Sequence, residues 1–454
     1  MAPTVRSFSA DLEPLTLVKN YPASYPGLLE SGAGSAASLG SRFDILPISN
    51  GECLELLSDG RLSGPHAGGK GFLASLAEWW TKLRTPLRAP ETIVPLPFTG
   101  GWLLYLGYEV ASEIEPGLEL PPSTDPVAAL AIRAPAAWVR DRATRQAWLI
   151  AEPGFETLLD EFESRTSGLR EASSVPGAYR IEEDDPAAFL EAVRRALDYI
   201  AAGDVYQANL SRGWRATAAD SAADPVSIYR RLRATNPSPF AALLRYGDFA
   251  LLSSSPERLV STRGNTVSTR PIAGTRPRGA TQEADAALIR SLLHNEKERA
   301  EHVMLIDLER NDLGRVCAGG SVRVDEYMSV ETYAHVHHIV SNVSGRLRND
   351  VSPVDVIRAL FPGGTITGCP KVRCMEIIAE LEGVGRGAYT GSIGYLNRDG
   401  SCDLNILIRT ITAQGGSFKF RAGAGIVADS NAAQELAETR AKAEGLLRAL
   451  VPRS

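Results

Sequence analysis

FKFRAGAGIVADSNAAQELAETRAKAEGLLRAL (Phe418–Leu450) changes period half-way: a strand is predicted over Phe418–Ala424, a glycine-rich end follows, and a helix is predicted over Ala432–Leu450. Glu435 and Glu438 stand three residues apart in that helix, and Glu298 and Glu301 repeat the spacing in a helix predicted over Glu298–Leu308. Positions i and i+3 project from one helix face, so each pair aims two carboxylates in one direction. If the two helices approach each other, four carboxylates converge on a hard divalent cation. Mg2+ is the natural choice, because it takes a few carboxylates and keeps its other positions for water and substrate. An isolated E-x-x-E is usually a solvated face. The company these two pairs keep argues for the metal.

Working outward, a helix is predicted to open at Asp185 and Pro186, with Phe189, Val193, Leu197 and Ile200 on one face and Gly203 as its stop. VYQANL (Val205–Leu210) alternates as a half-buried strand. Further strands are expected at Phe249–Ser253, Val267–Arg270, Ser392–Leu396 and Leu404–Thr412, and helices at Glu283–His294, Pro353–Leu360 and Lys371–Leu381. Strands of this kind mixed with long helices indicate an α+β fold, not a regular βαβ alternation. The irregular composition between Glu163 and Asp185 marks a connection between an N-terminal portion (residues 1–170) and a C-terminal portion (residues 186–452).

With 454 residues, 44% hydrophobic and 22% charged, the chain can bury a substantial core. A net charge of −6 argues against a nucleic-acid surface. No apolar run approaches a membrane span, the N-terminus has no signal-peptide pattern, and five cysteines form no C-x-x-C pair. A cytoplasmic, reduced protein without membrane association is expected. Five of the six histidines fall between His294 and His338, without the spacing of a zinc site.

Three glycine-containing stretches accompany the carboxylates. RPIAGTRPRG (Arg270–Gly279) carries three arginines, FPGGTITGCPK (Phe361–Lys371) leads into a helix whose N-terminal amides can receive an anion, and RAGAGIV (Arg421–Val427) lets backbone N–H groups approach a carboxylate. Each alone serves chain reversal in most proteins. Together they describe a pocket for a small polyanion bridged to Mg2+.

EHVMLIDLERNDLGRV (Glu301–Val316), PIAGTRPRG, the turn with TGCPK, and GAGIVADSNAAQELAETRAKA resemble the chorismate-utilising enzymes of the anthranilate synthase component I type, over about residues 186–452. The resemblance implies a large sandwich of two orthogonally packed antiparallel sheets flanked by helices. It also implies that the N-terminal portion extends the sheets and holds a tryptophan pocket, matched here by Ser31 in LLES, by RFDIL (Arg42–Leu46), and by Pro239 and Phe240 in NPSPF. Within the family, GDVYQANLS (Gly203–Ser211), SSSPERLV (Ser253–Val260) and GAYTGSIGYLNRDGSCDLNILIRT (Gly387–Thr410) resemble the aminodeoxychorismate synthase component I branch. Ala273 points the other way, because that branch often carries a nucleophilic lysine there, and alanine forms no covalent adduct. Anthranilate synthase component I is the nearest rival.

The resemblance also assigns roles. Mg2+ would be held mainly by Glu301 and Glu438, with Glu298 and Glu435 supporting through water, and would bind the ring carboxylate of chorismate. Arg409, Tyr389 and the amides of Gly423, Ala424 and Gly425 would hold the enolpyruvyl carboxylate. Gly274, Thr275 and Thr365 would line the pocket, with Lys442 adding a cation. Glu257 matches the family's proton donor; read alone, it could equally be a structural salt bridge to Arg258 or another arginine. His338 matches a histidine near the ring; read alone, it is a core histidine. No G-x-C-x-G nucleophile elbow is present, so a separate glutamine amidotransferase subunit is expected to supply ammonia. The competing class is a non-catalytic chorismate- or tryptophan-binding subunit. The four metal carboxylates and Glu257 argue for catalysis.

Overall fold

The computed structural model describes residues 2–32, 42–68, 71–84, 96–167, 179–218, 223–333 and 336–451. Two large antiparallel sheets dominate, one of twelve strands and one of eleven among the described residues. Their facing sides meet in an apolar layer formed by Ala242, Leu244 and Leu251 from the larger sheet and Leu103, Tyr105, Leu130 and Ile393 from the smaller. Strand alternation explains the layering. Leu243 and Leu252 stand opposite each other on neighbouring strands and point to the outer face. There Leu15, Phe162, Tyr229, Leu232 and Leu446 from four helices cover them. The outer face of the smaller sheet is covered in the same way by Trp79, Ile306, Leu313 and Ile357.

Both portions of the chain contribute to both sheets. Gly27–Glu30 pairs with Phe240–Tyr246, and Gly101–Leu106 pairs with Ser392–Asn397. Of the connection read between Glu163 and Asp185, residues 168–178 lie outside the described residues, and Tyr179–Glu183 is a strand paired with Gln207–Ala218.

The helices Pro353–Leu360 and Ala432–Leu450 have the expected ends. Ser352 and Asp355 form a capping box at the first, and the Asn431 side chain accepts from the amides of Ala433 and Gln434 at the second. Pro186–Ala201 starts at its Asp185 cap, and Glu296–Gly314 runs a turn and a half past the predicted Leu308. VYQANL enters its strand only at Gln207, leaving Tyr206 71% exposed.

The single strand expected at Leu404–Thr412 is instead two. Cys402–Asn405 belongs to the smaller sheet and Thr410–Gln414 to the larger, so the chain crosses between the sheets at 406–409. The crossing buries Ile406 and Leu407 completely and ends on Arg409 with φ +52. Continuous apolarity hides such a switch, because a residue in the inter-sheet layer is apolar whichever sheet it leaves. No helix among the described residues is long and apolar enough to cross a membrane.

Candidate active site

Strand Ile272–Pro277 pairs with Val336–Arg346, and its register slips between Ala273 and Thr275. The bulge falls on Gly274 at φ +59, a conformation that L side chains rarely adopt. A Cβ there would also lie 2.8 Å from Glu298 Oε2, so glycine leaves room for that carboxylate. Beyond the bulge, Thr275 Oγ1 lies 2.9 Å from His338 Nδ1. Burial, followed by the nearby Arg409, pushes the His338 pKa down to about 4, so the imidazole is neutral at pH 7.

The long C-terminal helix packs on the strand that precedes it, and Lys442 ties the two together. Its Nζ donates to the Gly423 carbonyl at 2.9 Å and pairs with Glu438 Oε1 at 2.7 Å. Tyr389 OH lies 2.6 Å from the place a Gly423 Cβ would occupy, and burial raises the phenol to about 12. Gln207 fills the space above Gly425 and brings its Nε2 to 3.5 Å from Glu301 Oε1. The side chain of Ala424 packs into the apolar layer beneath, leaving its backbone to the site.

Glu257 sits where strand Phe249–Ser255 turns into strand Arg258–Arg263. The salt bridge considered between Glu257 and Arg258 is not formed, because Arg258 pairs with Asp403 instead. Glu257 is buried and its Oε1 has no hydrogen-bond partner. Burial pushes its pKa up to about 7, and Thr365, Lys442 and Arg409 draw it back down. Those three residues therefore face the carboxyl from three separate segments. The Thr365 hydroxyl, buried and unpartnered, faces Glu257 without closing a hydrogen bond. The Arg409 guanidinium is buried, which lowers its pKa, while the charge of Glu257 raises it.

The four glutamates stand on the two helices as their spacing requires. Among the described residues, however, no three acidic, histidine or cysteine side chains close on one point. Glu298 is held by Arg276 at 2.7 Å and Glu438 by Lys442, cations that relieve carboxylate repulsion. Glu298 Oε2 remains buried without a partner. Glu435, one turn before Glu438, is half-buried. Ser31, Pro239 and Phe240 line a separate cavity between the sheets, with Arg42, Arg263 and Asp403 at its wall.

The family model of chorismate binding enzymes matches residues 62–448. The chain belongs to this family. An anthranilate synthase component I-like protein of Synechocystis is 45% identical over 370 residues, covering 78% of this chain and 73% of that protein. Aminodeoxychorismate synthase component 1 of Bacillus subtilis is 55% identical over 262 residues, covering 58% of this chain and 55% of that protein. The crystal structure of anthranilate synthase component I from Streptococcus pneumoniae superposes with a TM-score of 0.78 at 33% identity, covering 90% of this chain and 93% of that one.

Several polar residues of this chorismate binding enzyme escape a reading by motif. Glu382 is buried and accepts from Arg386 at 2.6 Å, Arg421 at 2.9 Å and Ser211 Oγ at 2.9 Å. Arg386 in turn donates to the Asn209 and Ile366 carbonyls, tying strand, glycine turn and Tyr389 segment together. Gln207 lay within a quoted motif, but only the fold brings it to Glu301.

Proposed function

We propose that this enzyme is an aminodeoxychorismate synthase component I, converting chorismate and ammonia to 4-amino-4-deoxychorismate. The observation that carries the reading is Glu257: a buried, unpaired carboxyl facing Thr365, Lys442 and Arg409. Departure of the C4 hydroxyl as water needs a proton, and a carboxyl whose pKa lies near 7 can hold one at neutral pH and deliver it. Arg409, Tyr389 and the amides of Gly423 to Gly425 supply charge-assisted bonds for the enolpyruvyl carboxylate. Neutral His338, fixed by Thr275, leaves the pocket's positive charge to Arg409 and Lys442.

The carboxylates fit a magnesium site by chemistry, as hard oxygen donors with Glu298 Oε2 left unpartnered and Gly274 making room for it. Glu301 and Glu438 would hold the ion, with Glu298 and Glu435 in support. Bound there, Mg2+ would neutralise the ring carboxylate and draw electron density from the ring. Ammonia would come from a separate glutamine amidotransferase subunit. The cavity at Ser31, Pro239 and Phe240 is the proposed tryptophan site.

Ala273 favours a second reading, anthranilate synthase component I. Its buried methyl group offers no nucleophile for the lysine route to 4-amino-4-deoxychorismate. In the first reaction the amine finishes at C4 with the enolpyruvyl group retained; in the second it stays at C2 and pyruvate leaves. Incubation of the chain with chorismate, ammonium and Mg2+ separates the two. Fluorescent anthranilate without added lyase supports the second reading. 4-Aminobenzoate that forms only after 4-amino-4-deoxychorismate lyase is added supports the first.

A further inference from the structure

Strands Gly101–Leu106 and Ser392–Asn397 pair antiparallel with Leu106 opposite Ser392, so the segment after the first lies beside the segment before the second. The first segment is GYEV (Gly107–Val110), in which Tyr108–Val110 form a short helical turn, and the second is RGAYTG (Arg386–Gly391). The two clasp each other. The Tyr108 amide donates to the Gly387 carbonyl at 2.8 Å. Glu109 Oε1 accepts from the Arg386 and Gly387 amides at 2.7 and 3.1 Å, and Asp125 Oδ2 accepts from the Ala388 amide at 3.1 Å. A Gly107 Cβ would lie 2.8 Å from the Ala128 carbonyl and 3.3 Å from that of Gly387, so glycine permits the approach. Two acids of the N-terminal portion thus hold three successive amides of the C-terminal portion.

Those amides directly precede Tyr389. The Tyr389 amide closes the turn on the Arg386 carbonyl at 3.1 Å. The Arg386 guanidinium stands over two rings, 5.0 Å from the Tyr108 centroid and 5.5 Å from that of Tyr389. Thr390, next in the chain, has φ +64, a conformation that persists in such a residue only where its surroundings hold it. The turn delivers the Tyr389 hydroxyl to Gly423, 2.6 Å from the place a Cβ would occupy there. Printed contacts therefore run without a gap from Glu109 through the turn to the substrate end of Tyr389.

We propose that Glu109 is a positioning residue that, by gripping the Arg386–Tyr389 turn, aims the Tyr389 hydroxyl at the enolpyruvyl carboxylate of chorismate, a role that rests on the proposed chorismate reaction. Glu109 touches no substrate itself. Without its oxygen the Arg386 and Gly387 amides lose their acceptor, the turn relaxes, and the ring that follows it shifts. The hydroxyl's bond to a carboxylate then lengthens and bends, and such a bond weakens steeply with both. That carboxylate keeps its charge throughout the reaction, so the lost contact is one made equally to substrate and transition state, and it is felt in KM.

The test follows chorismate consumption by the full-length chain with ammonium and Mg2+, in wild-type and Tyr389→Phe backgrounds. Glu109→Met removes the acceptor and is expected to raise KM for chorismate about tenfold, with kcat within about threefold of wild type. Glu109→Gln keeps an oxygen in the same place and should restore KM to within about threefold. Tyr389→Phe alone should raise KM about as much as Glu109→Met, and combining the two should add less than about twofold, because the bond is already gone. Glu109→Asp retracts the carboxylate by one methylene and keeps its charge; it should raise KM severalfold in the wild-type background only, and it carries the test if Glu109→Met does not fold. A wild-type KM in folded Glu109→Met or Glu109→Asp overturns the inference, as does a Glu109→Gln KM as high as that of Glu109→Met. So does an equal loss with and without the Tyr389 hydroxyl, which marks a purely structural role, or an unaltered KM in Tyr389→Phe. A wild type that consumes no chorismate removes the proposed function and this inference with it, whereas any of the other results beside an active wild type removes the inference alone.

Discussion

Arg258 turns away from its neighbour Glu257 and closes a two-pronged ion pair on Asp403, Nε to Oδ1 at 2.9 Å and Nη2 to Oδ2 at 2.8 Å. The fork satisfies the one arginine close enough in sequence to neutralise Glu257, and the acid stays buried and protonatable. An arginine–carboxylate fork is specific in geometry, so lysine would not replace it.

The pH dependence follows from Glu257. Its pKa rises from 4.5 to about 7 on folding, so the folded state favours the protonated carboxyl. The stability cost is absent below about pH 4.5, grows as the unfolded chain ionises, and is complete above about pH 7. Glu257→Gln is expected to match wild type in urea denaturation near pH 4.5 and to exceed it at pH 8, by roughly 3 kcal/mol at most. The same variant should lose turnover at every pH, and wild-type turnover should fall as pH rises through about 7. Equal stability of the two proteins at pH 8 would contradict this origin of the shift.

Gly274→Ala forces a side chain into a left-handed backbone and against Glu298 Oε2 at 2.8 Å. The strain costs about 1–3 kcal/mol, read as a lowered denaturation midpoint. Displacement of Glu298 should also raise the Mg2+ concentration needed for half-maximal activity. An unchanged magnesium dependence would separate Glu298 from the metal.

Glu382→Gln leaves Arg386 and Arg421 buried without a counter-charge. A loss of about 3–5 kcal/mol is expected in chemical denaturation. Because Arg386 also holds the Asn209 and Ile366 carbonyls, chorismate KM should rise even where the protein remains folded. A change below about 1 kcal/mol would mean that water replaces the acid.

Most of the helices were legible because local chemistry ends them: Ser352 and Asp355, Asp185 and Pro186, and Asn431 cap helices wherever such residues precede an apolar period. The sheet switch at 406–409 was not, since periodicity reports which residues are buried and not against which layer. The glutamate pairs and Glu257 were visible as residue types in motifs, but the partner of Arg258 was not. Asp403 lies 145 residues away, and only the pairing of strand Arg258–Arg263 with Cys402–Asn405 brings it near. Glu382 looks like an ordinary solvated helix charge in sequence. Its burial is set by strands and turns that arrive from elsewhere in the chain.

The most direct measurement is chorismate consumption by Glu438→Gln beside wild type, with ammonium and saturating Mg2+. Glu438 is 48% exposed and pairs only with Lys442 among the described residues, so the substitution should leave folding and melting temperature intact. The expected result is a folded variant whose turnover falls by roughly a hundredfold or more. A folded variant that consumes chorismate at the wild-type rate would contradict a metal-assisted site on these helices.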